Sequence, residues 1–293
     1  MGMLKGSFVA LVTPMTSSGA VDWDALDSLI DWHLESGTHG IVPVGTTGES
    51  ATLTPTEHKR VIEVTVRRVS GRIPVVAGTG ANSTAEAIEL TEAAKNSGAD
   101  ACLLVTPYYN KPTQEGLYRH YCAIAEVVDI PMILYNVPPR TACDMQPETV
   151  ARLAPIDQII GIKEACGDAE RVAAIRALVD DDFIVLSGED AQTLQMMELG
   201  AVGAISVTAN VVPHLMSAFC DCYLNGDLDG AEALDRQMQP IHEILFVETS
   251  PTPTKWALQQ MGRIEDGIRL PLIELSETHH AEVRRRLSAI GAL

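Results

Sequence analysis

The sequence predicts a (β/α)8 barrel, also called a TIM barrel, with a helical extension at its C-terminal end. Short and almost continuously apolar runs alternate with longer stretches of helical period, and the pair recurs eight times at fairly even spacing. Such runs indicate parallel strands that are buried on both faces, and right-handed crossovers close eight of them into a barrel. The length of 293 residues suits one barrel of about 250 residues with an extension.

The apolar runs end at polar or turn-forming residues, as expected of strands that lead into loops. They cover residues 8–12, 40–45, 73–77, 101–105, 131–135, 159–162, 183–186 and 203–207. The helical stretches begin after Asp22, a suitable N-cap, and continue at 55–70, from 83 or 84, at 113–127, 147–153, 168–179 and 191–199, and after 213. Only helical patterns remain from residue 228, so we predict a catalytic barrel over 1–227 and a helical appendage over 228–293. A doubly wound sheet is the alternative, but it needs fewer strands and a topological break that the pattern lacks.

Composition and motif spacing exclude several classes of protein. The net charge of −18 disfavours nucleic acid as a partner, because a phosphate backbone demands clustered Lys and Arg. No stretch approaches the ~20 apolar residues of a membrane helix, so we expect no membrane partner. The six cysteines form no Cys-x-x-Cys pair and the histidines show no ligand spacing, which argues against a metal site and predicts reduced thiols in a cytoplasmic protein. Gly78-Thr79-Gly80 lacks the rest of a dinucleotide-binding motif.

Lys163 is the sharpest candidate for a reactive residue, because active sites of such barrels lie at the C-terminal ends of the strands. It is one of six lysines and follows the uncharged run Ile159-Ile160-Gly161-Ile162. A lysine placed there loses solvation, which favours the neutral amine that attacks a carbonyl group to form a Schiff base. The alternative is an ion pair with Glu164 or another carboxylate at the strand end. The residues alone weigh these two interpretations evenly.

Other candidates follow neighbouring strands. The turn Gly45-Thr46-Thr47-Gly48 can direct amides and two hydroxyls at a carboxylate or phosphate, or it is an ordinary loop before the next helix. Tyr135 and Tyr109 are candidate proton carriers, with packing on a loop as the alternative. Arg140 can hold a carboxylate with two hydrogen bonds, with a surface ion pair as the alternative.

Taken together and in this order, these motifs resemble the pyruvate-dependent class I aldolase family, which includes N-acetylneuraminate lyases and dihydrodipicolinate synthases. The resemblance covers nearly the whole chain, from the segment 6–14 to Pro253-Thr254-Lys255-Trp256-Ala257. It includes the segments Gly45-Thr46-Thr47-Gly48-Glu49, Tyr135-Asn136-Val137-Pro138 and Gly161-Ile162-Lys163-Glu164. The Gly-Thr-Thr-Gly turn, the segment 105–112 and Arg140-Thr141 look like the synthases, since the lyases usually have Gly-Ser-Thr-Gly.

The resemblance implies a reaction and a set of roles. Lys163 attacks the keto carbon of pyruvate, and the resulting enamine attacks the aldehyde of L-aspartate-4-semialdehyde, which gives 4-hydroxy-tetrahydrodipicolinate on the diaminopimelate route to lysine. The implied proton relay is Tyr135, Thr46 and Tyr109. The implied substrate-binding residues are Arg140 for the carboxylate of the semialdehyde, and Thr47, Gly188 and Ile205 for the pyruvate carboxylate and the pocket wall. No metal or organic cofactor is implied, because the lysine itself supplies the electron sink.

Two rivals remain open at this point. One is an aldolase of the same chemistry that takes another aldehyde, such as a sugar-acid or N-acetylneuraminate lyase, which Arg140 and Tyr109 disfavour. The other is a catalytically silent barrel that senses a small molecule, which the presence of Lys163, Tyr135 and Thr46 disfavours.

The resemblance also implies an oligomer and raises the question of regulation. In the family Tyr109 reaches into the neighbouring subunit's site, which implies a homotetramer built from two tight dimers. Six residues match positions that bind lysine in regulated members: Ser50, Ala51, His58, Asn82, Glu86 and Tyr108. Pro55 stands where sensitive members often carry a histidine, and proline offers neither a side-chain donor nor a backbone N–H. We therefore predict weak or absent inhibition by lysine.

Overall fold

The computed structural model describes residues 4–293, and its strands confirm the predicted fold class. The strands within this range are β1 (Gly6–Ala10), β2 (Gly40–Val42), β3 (Val76–Gly78), β4 (Ala101–Val105), β5 (Met132–Asn136), β6 (Ile159–Glu164), β7 (Ile184–Ser187) and β8 (Gly203–Ser206). They form one sheet in the order β2-β1-β8-β7-β6-β5-β4-β3, with parallel pairing in the ladders. This is the strand order of a (β/α)8 barrel, in which the first and last strands are neighbours.

The helices alternate with these strands and then continue alone, as the sequence predicts. The helices of the described range are α1 (Trp23–Glu35), α2 (Pro55–Val69), α3 (Thr84–Ser97), α4 (Gln114–Val127), α5 (Pro138–Thr141), α6 (Pro147–Leu153), α7 (Glu170–Arg176), α8 (Thr193–Glu198), α9 (Pro213–Leu224), α10 (Leu228–Ile244), α11 (Thr252–Gln260) and α12 (Glu277–Ala289). Asp22 caps α1 as expected, because its side chain accepts a hydrogen bond from the amide of Ala25 at 3.0 Å.

Element boundaries differ from the prediction in places that matter for function. Strand β6 extends past Ile162 and includes Lys163, so this lysine is part of the sheet and not of the loop after it. The short helix α5 was not predicted, and it carries Arg140. Strand β3 begins at Val76 rather than at residue 73, since Pro74 has no N–H for a ladder and the amide of Val75 donates to the side chain of Asp100.

The chain divides into two compact units. Within the described range, one comprises residues 4–5 and Pro74–Ile205, and the other comprises Gly6–Ile73 and Ser206–Leu293. The first unit contains strands β4 to β7, which are buried almost throughout, as a parallel sheet covered on both faces requires. In the second unit Gly40 lies against the ring of Phe8, where a side chain at position 40 would collide with the ring.

Two further observations concern the chain as the structure describes it. Across residues 4–293, no helix has both the length and the apolar character needed to cross a bilayer. All six cysteines are free thiols, and Cys102, Cys143 and Cys220 are buried.

Candidate active site

Lys163 and Tyr135 form the centre of the candidate site. The register of β5 and β6 pairs these two residues, and partners in a parallel ladder project to the same face of the sheet. Both side chains are buried, with 5% of Lys163 and 7% of Tyr135 exposed. Lys163 Nζ lies 4.4 Å from the centroid of the Tyr135 ring. Strand pairing therefore brings a primary amine and a phenol together in a desolvated place.

Gly188 follows β7 and lies against the stem of Lys163. Its amide donates a 2.7 Å hydrogen bond to the carbonyl of Glu164, which holds the backbone after β7 close to β6. A β-carbon at position 188 would lie 2.8 Å from Lys163 Cε and 2.7 Å from the β-carbon of Ala165. Glycine is therefore required here because the side chains of Ala165 and Lys163 occupy the space, and not because of backbone conformation.

Glu164 is completely buried and points away from Lys163, as alternation along a strand dictates. Both of its carboxylate oxygens accept from Asn136 Nδ2, at 3.0 and 3.2 Å, so Glu164 is not the ion-pair partner of Lys163. Burial raises the pKa of the Glu164 carboxyl to about 7, against the opposing effect of the hydrogen bond from Asn136. The ion-pair alternative with Glu164 is thus not realised in the structure.

The loop before α6 supplies a second carboxylate to the same cluster. Asn136 Nδ2 also donates to Asp144 at 2.9 Å, and Asn136 Oδ1 accepts from the amide of Met145 at 2.9 Å. Arg171 in α7 donates to both oxygens of Asp144, at 3.1 and 3.0 Å. Burial alone would raise the pKa of Asp144, but the hydrogen bonds from Arg171 and Asn136 hold that pKa below its usual value.

The hydroxyl-bearing turn belongs to the other compact unit. Thr46 is half-buried and Thr47 is buried in the loop that follows β2. The amide of Glu49 donates to the carbonyl of Thr46 at 3.1 Å, and the hydroxyl of Thr13 donates to the carbonyl of Gly48 at 2.7 Å. These hydrogen bonds fix the backbone of the turn that carries Thr46 and Thr47.

A buried ion pair supports this turn from the C-terminal part of the chain. Lys255 in α11 donates to Glu49 at 2.5 Å, and the side chains of both residues are almost inaccessible to water. The amide of Arg269 donates to the other Glu49 oxygen at 3.3 Å. Burial lowers the pKa of Lys255, although the charge of Glu49 acts in the opposite direction. Removing either partner would leave an uncompensated charge in this buried place.

The remaining candidates lie at the periphery. Tyr109 is 88% exposed on the single chain and has a φ of +74°, a conformation that bulky residues rarely adopt. It is therefore not packed beside Lys163 in its own chain. Arg140 is exposed in α5. Burial and the charge of Asp190 raise the pKa of Glu189, while the charges of Lys163 and Arg140 oppose that rise. Ile205 is buried in β8.

The candidate lysine-binding residues fall into two groups. In the first unit, Asn82 Nδ2 donates to the carbonyl of Tyr108 at 3.2 Å, and the charge of Glu86 contributes to a raised pKa of Tyr108, after burial. In the second unit, Ser50 and Ala51 follow Glu49, and His58 is buried in α2. Pro55 is the first residue of α2 and lies between Thr54 and Glu57, which form a capping box.

Sequence reasoning missed the residues that support the site. Asn136, Glu164, Glu49 and Lys255 all lie in the motifs noted above, but their partners are distant in sequence. Asp144 and Arg171 carried no signal of their own. Within the range 4–293, no group of three or more His, Cys, Asp or Glu side chains is arranged to hold a metal ion.

Comparison with known proteins shows the family of this chain. The model of the dihydrodipicolinate synthetase family matches residues 3–290. A 4-hydroxy-tetrahydrodipicolinate synthase of Teredinibacter turnerae is 57% identical over 99% of this chain and 100% of its own length. One of Pseudomonas syringae pv. syringae is 58% identical with the same coverage. A crystal structure of the chloride-inhibited dihydrodipicolinate synthase from Acinetobacter baumannii, complexed with pyruvate, superposes with a TM-score of 0.97 at 52% identity, covering 99% of this chain and 100% of that one. The chain therefore belongs to the dihydrodipicolinate synthetase family.

Proposed function

We propose that this chain condenses pyruvate with L-aspartate-4-semialdehyde to give 4-hydroxy-tetrahydrodipicolinate, on the diaminopimelate route to lysine. The observation that carries the proposal is the buried Lys163 amine beside the Tyr135 ring. Relatives that share more than half of its residues over their whole length bear the name of this activity.

Lys163 is the nucleophile of the proposed mechanism. Its amine adds to the keto carbon of pyruvate and the carbinolamine loses water, which leaves an imine on Nζ. Removal of a methyl proton gives an enamine, whose carbon attacks the aldehyde of the semialdehyde. The amino group of the semialdehyde then attacks the imine carbon, closes the ring and expels Lys163 as a free amine. Every proton in this sequence needs a carrier, and the phenol of Tyr135 is the nearest one that the ladder provides.

The other roles follow from chemistry and position. Thr46 and Tyr109 complete the proton relay with Tyr135, and Thr47, Gly188 and Ile205 hold pyruvate and shape its pocket. Arg140 binds the carboxylate of the semialdehyde, since a guanidinium matches a carboxylate with two parallel hydrogen bonds.

The exposed Tyr109 supports a proposal about assembly. Its backbone conformation is costly for a bulky residue, and a side chain held out in this way suits contact with a second copy of the chain. We place Tyr109 in the site of a neighbouring subunit, within a homotetramer of two tight dimers. We assign the catalytic barrel to residues 1–227 and the helical appendage to 228–293, and we place the enzyme in the cytoplasm, where its free thiols remain reduced.

Regulation by lysine is proposed to be weak or absent. Pro55 begins α2 and offers no donor to a bound amino acid at the position where sensitive members often carry histidine. Without that donor, we expect lysine to bind weakly or not at all to the six matching residues, Ser50, Ala51, His58, Asn82, Glu86 and Tyr108. A lysine titration with half-maximal inhibition in the micromolar range would contradict this proposal.

A substrate comparison tests the proposed function. The purified protein is given pyruvate with either L-aspartate-4-semialdehyde or N-acetylmannosamine, and the products are identified by mass spectrometry. We expect 4-hydroxy-tetrahydrodipicolinate from the first mixture and no N-acetylneuraminate from the second. Formation of N-acetylneuraminate without turnover of the semialdehyde would identify a lyase instead.

A further inference from the structure

We propose that Asn136 and Glu164 act as positioning residues, forming a clamp across β5 and β6 that sets the distance between Tyr135 and Lys163. The clamp is defined as the paired hydrogen bonds from Asn136 Nδ2 to the two carboxylate oxygens of Glu164. This inference rests on the proposed function, because it concerns the geometry of the same reactive pair.

The register of the two strands places the clamp directly behind the reactive residues. Tyr135 pairs with Lys163, and the next pair in the same ladder is Asn136 with Glu164. Side chains alternate between the two faces of a sheet, so the clamp lies on the opposite face from the reactive pair. A change in the spacing of Asn136 and Glu164 is therefore transmitted through a single peptide unit in each strand.

Each polar side-chain atom of the clamp has a hydrogen-bond partner. Asn136 Nδ2 donates to Glu164 and to Asp144, and Asn136 Oδ1 accepts from the amide of Met145. Asp144 is held in turn by both terminal nitrogens of Arg171. Such a network is costly to bury and rigid once it is satisfied, which suits a device that specifies one geometry.

The backbone of Glu164 extends this control to a third strand. Its carbonyl accepts from the amide of Gly188 at 2.7 Å, and the α-carbon of Gly188 is the site where a β-carbon would strike Lys163 Cε. Glu164 thus lies between the clamp and the residue that borders the lysine stem. One residue links the positions of Tyr135, Lys163 and Gly188.

Loss of the clamp should slow chemistry more than substrate binding. A displacement of about 1 Å in a reacting group can cost on the order of 100-fold in rate. We expect Glu164→Leu to slow formation of the pyruvate adduct and to lower kcat by about 10- to 100-fold, with the KM for the semialdehyde within about threefold of the wild-type value.

Variants that exchange the donor and the acceptor of the clamp separate a positioning role from a general loss of stability. Glu164→Gln retains an acceptor for Asn136 Nδ2, and we expect it to keep most of the wild-type rate. Asn136→Asp brings a third carboxylate against those of Glu164 and Asp144 and should slow adduct formation. The double variant Asn136→Asp with Glu164→Gln restores a donor–acceptor pair of reversed polarity between positions 136 and 164. The new carboxylate still faces Asp144, so we expect only part of the rate to return. Tyr121→Phe is the matched control, since it removes a buried hydrogen bond to the carbonyl of Leu104 in β4.

The experiment compares these variants by rapid-quench borohydride trapping with pyruvate, by steady-state kinetics and by thermal melting. The inference holds if adduct formation falls in Glu164→Leu and Asn136→Asp, recovers in the double variant and stays unchanged in Tyr121→Phe at a comparable melting temperature. Wild-type rates in folded Glu164→Leu, or no recovery in the folded double variant, would overturn it. If the wild-type protein itself forms no adduct, the proposed function fails, and this outcome is distinct from failure of the clamp.

Discussion

The backbone of Gly188 passes so close to Lys163 that a β-carbon at position 188 would lie 2.8 Å from Lys163 Cε. The close approach depends on the hydrogen bond from the Gly188 amide to the carbonyl of Glu164, which holds the end of β7 against β6. The backbone that follows β7 thus borders the stem of the proposed nucleophile on this side.

Substitution of Gly188 by alanine should displace the lysine. The added methyl group has no space, because Lys163 and Ala165 both lie within van der Waals distance of it. We expect Gly188→Ala to lower the free energy of unfolding by about 1–3 kcal/mol and to slow pyruvate adduct formation at least tenfold. Chemical denaturation and borohydride trapping measure the two effects. A variant that forms the adduct at the wild-type rate would show that this close approach does not constrain the amine.

Arg140 offers a prediction about substrate choice. If it binds the carboxylate of the semialdehyde, Arg140→Ala should raise the KM for that substrate at least tenfold, equivalent to about 1.4 kcal/mol or more of lost binding. The rate of pyruvate adduct formation on Lys163 should stay within twofold of wild type. The KM of Arg140→Lys for the semialdehyde should lie between those of the wild type and Arg140→Ala, since lysine keeps the charge but loses the paired hydrogen bonds. An unchanged KM in Arg140→Ala would remove Arg140 from the binding site.

The ion pair of Glu49 and Lys255 should matter for stability. Lys255→Met leaves a buried carboxylate without its partner, which we expect to cost about 3–5 kcal/mol in urea denaturation. Combining it with Glu49→Gln should restore a large part of that loss, because no unpaired charge remains. Arg285→Ala is the control, because it breaks an exposed pair with Glu282 and should change stability by at most about 1 kcal/mol. Equal losses in the single and double variants would show that charge is not the cause.

Several features of this molecule follow from the sequence alone. The eight strands were predictable because each is a short apolar run that ends in a turn signal. This pattern is typical of parallel strands that are buried on both faces. The convergence of Tyr135 and Lys163 followed from the rule that barrel active sites lie at the C-terminal ends of the strands. The pairing of these two residues in one ladder depends on strand register, which the sequence pattern does not fix to a single residue.

Other features depend on contacts between distant segments. Glu49 and Lys255 are separated by 206 positions, and neither residue alone indicates the other. Asp144 and Arg171 look like ordinary loop and helix charges until the fold places them beside Asn136. The helix α5 escaped prediction because four residues that begin with two prolines show no helical period.

Glu164 should make stability depend on pH near neutrality. Burial raises the pKa of this carboxyl to about 7 from an ordinary value of 4.5, and Asn136, Cys166, Arg171 and Asp144 are the groups around it. The folded state therefore binds the proton more tightly than the unfolded state. The stabilisation is complete below pH 4.5 and is lost as the pH rises through 7.

Glu164→Gln carries no titrating group at this position, so its stability should not fall as the pH rises through 7. The free energy of unfolding of the variant relative to wild type should therefore rise between pH 4.5 and 8, by at most about 3 kcal/mol. Urea denaturation at several pH values measures this difference. A difference that falls with pH, or stays constant, would show that Glu164 is not protonated more readily in the folded protein.

Reduction with borohydride in the presence of pyruvate, followed by peptide mass mapping, tests the role of Lys163 most directly. The Schiff base should be trapped as a secondary amine, which adds the mass of a reduced pyruvyl group to the peptide that contains Lys163. Lys163→Arg, which keeps the charge, should form no adduct while remaining folded. An adduct on another lysine, or none at all under conditions of full turnover, would contradict the mechanism.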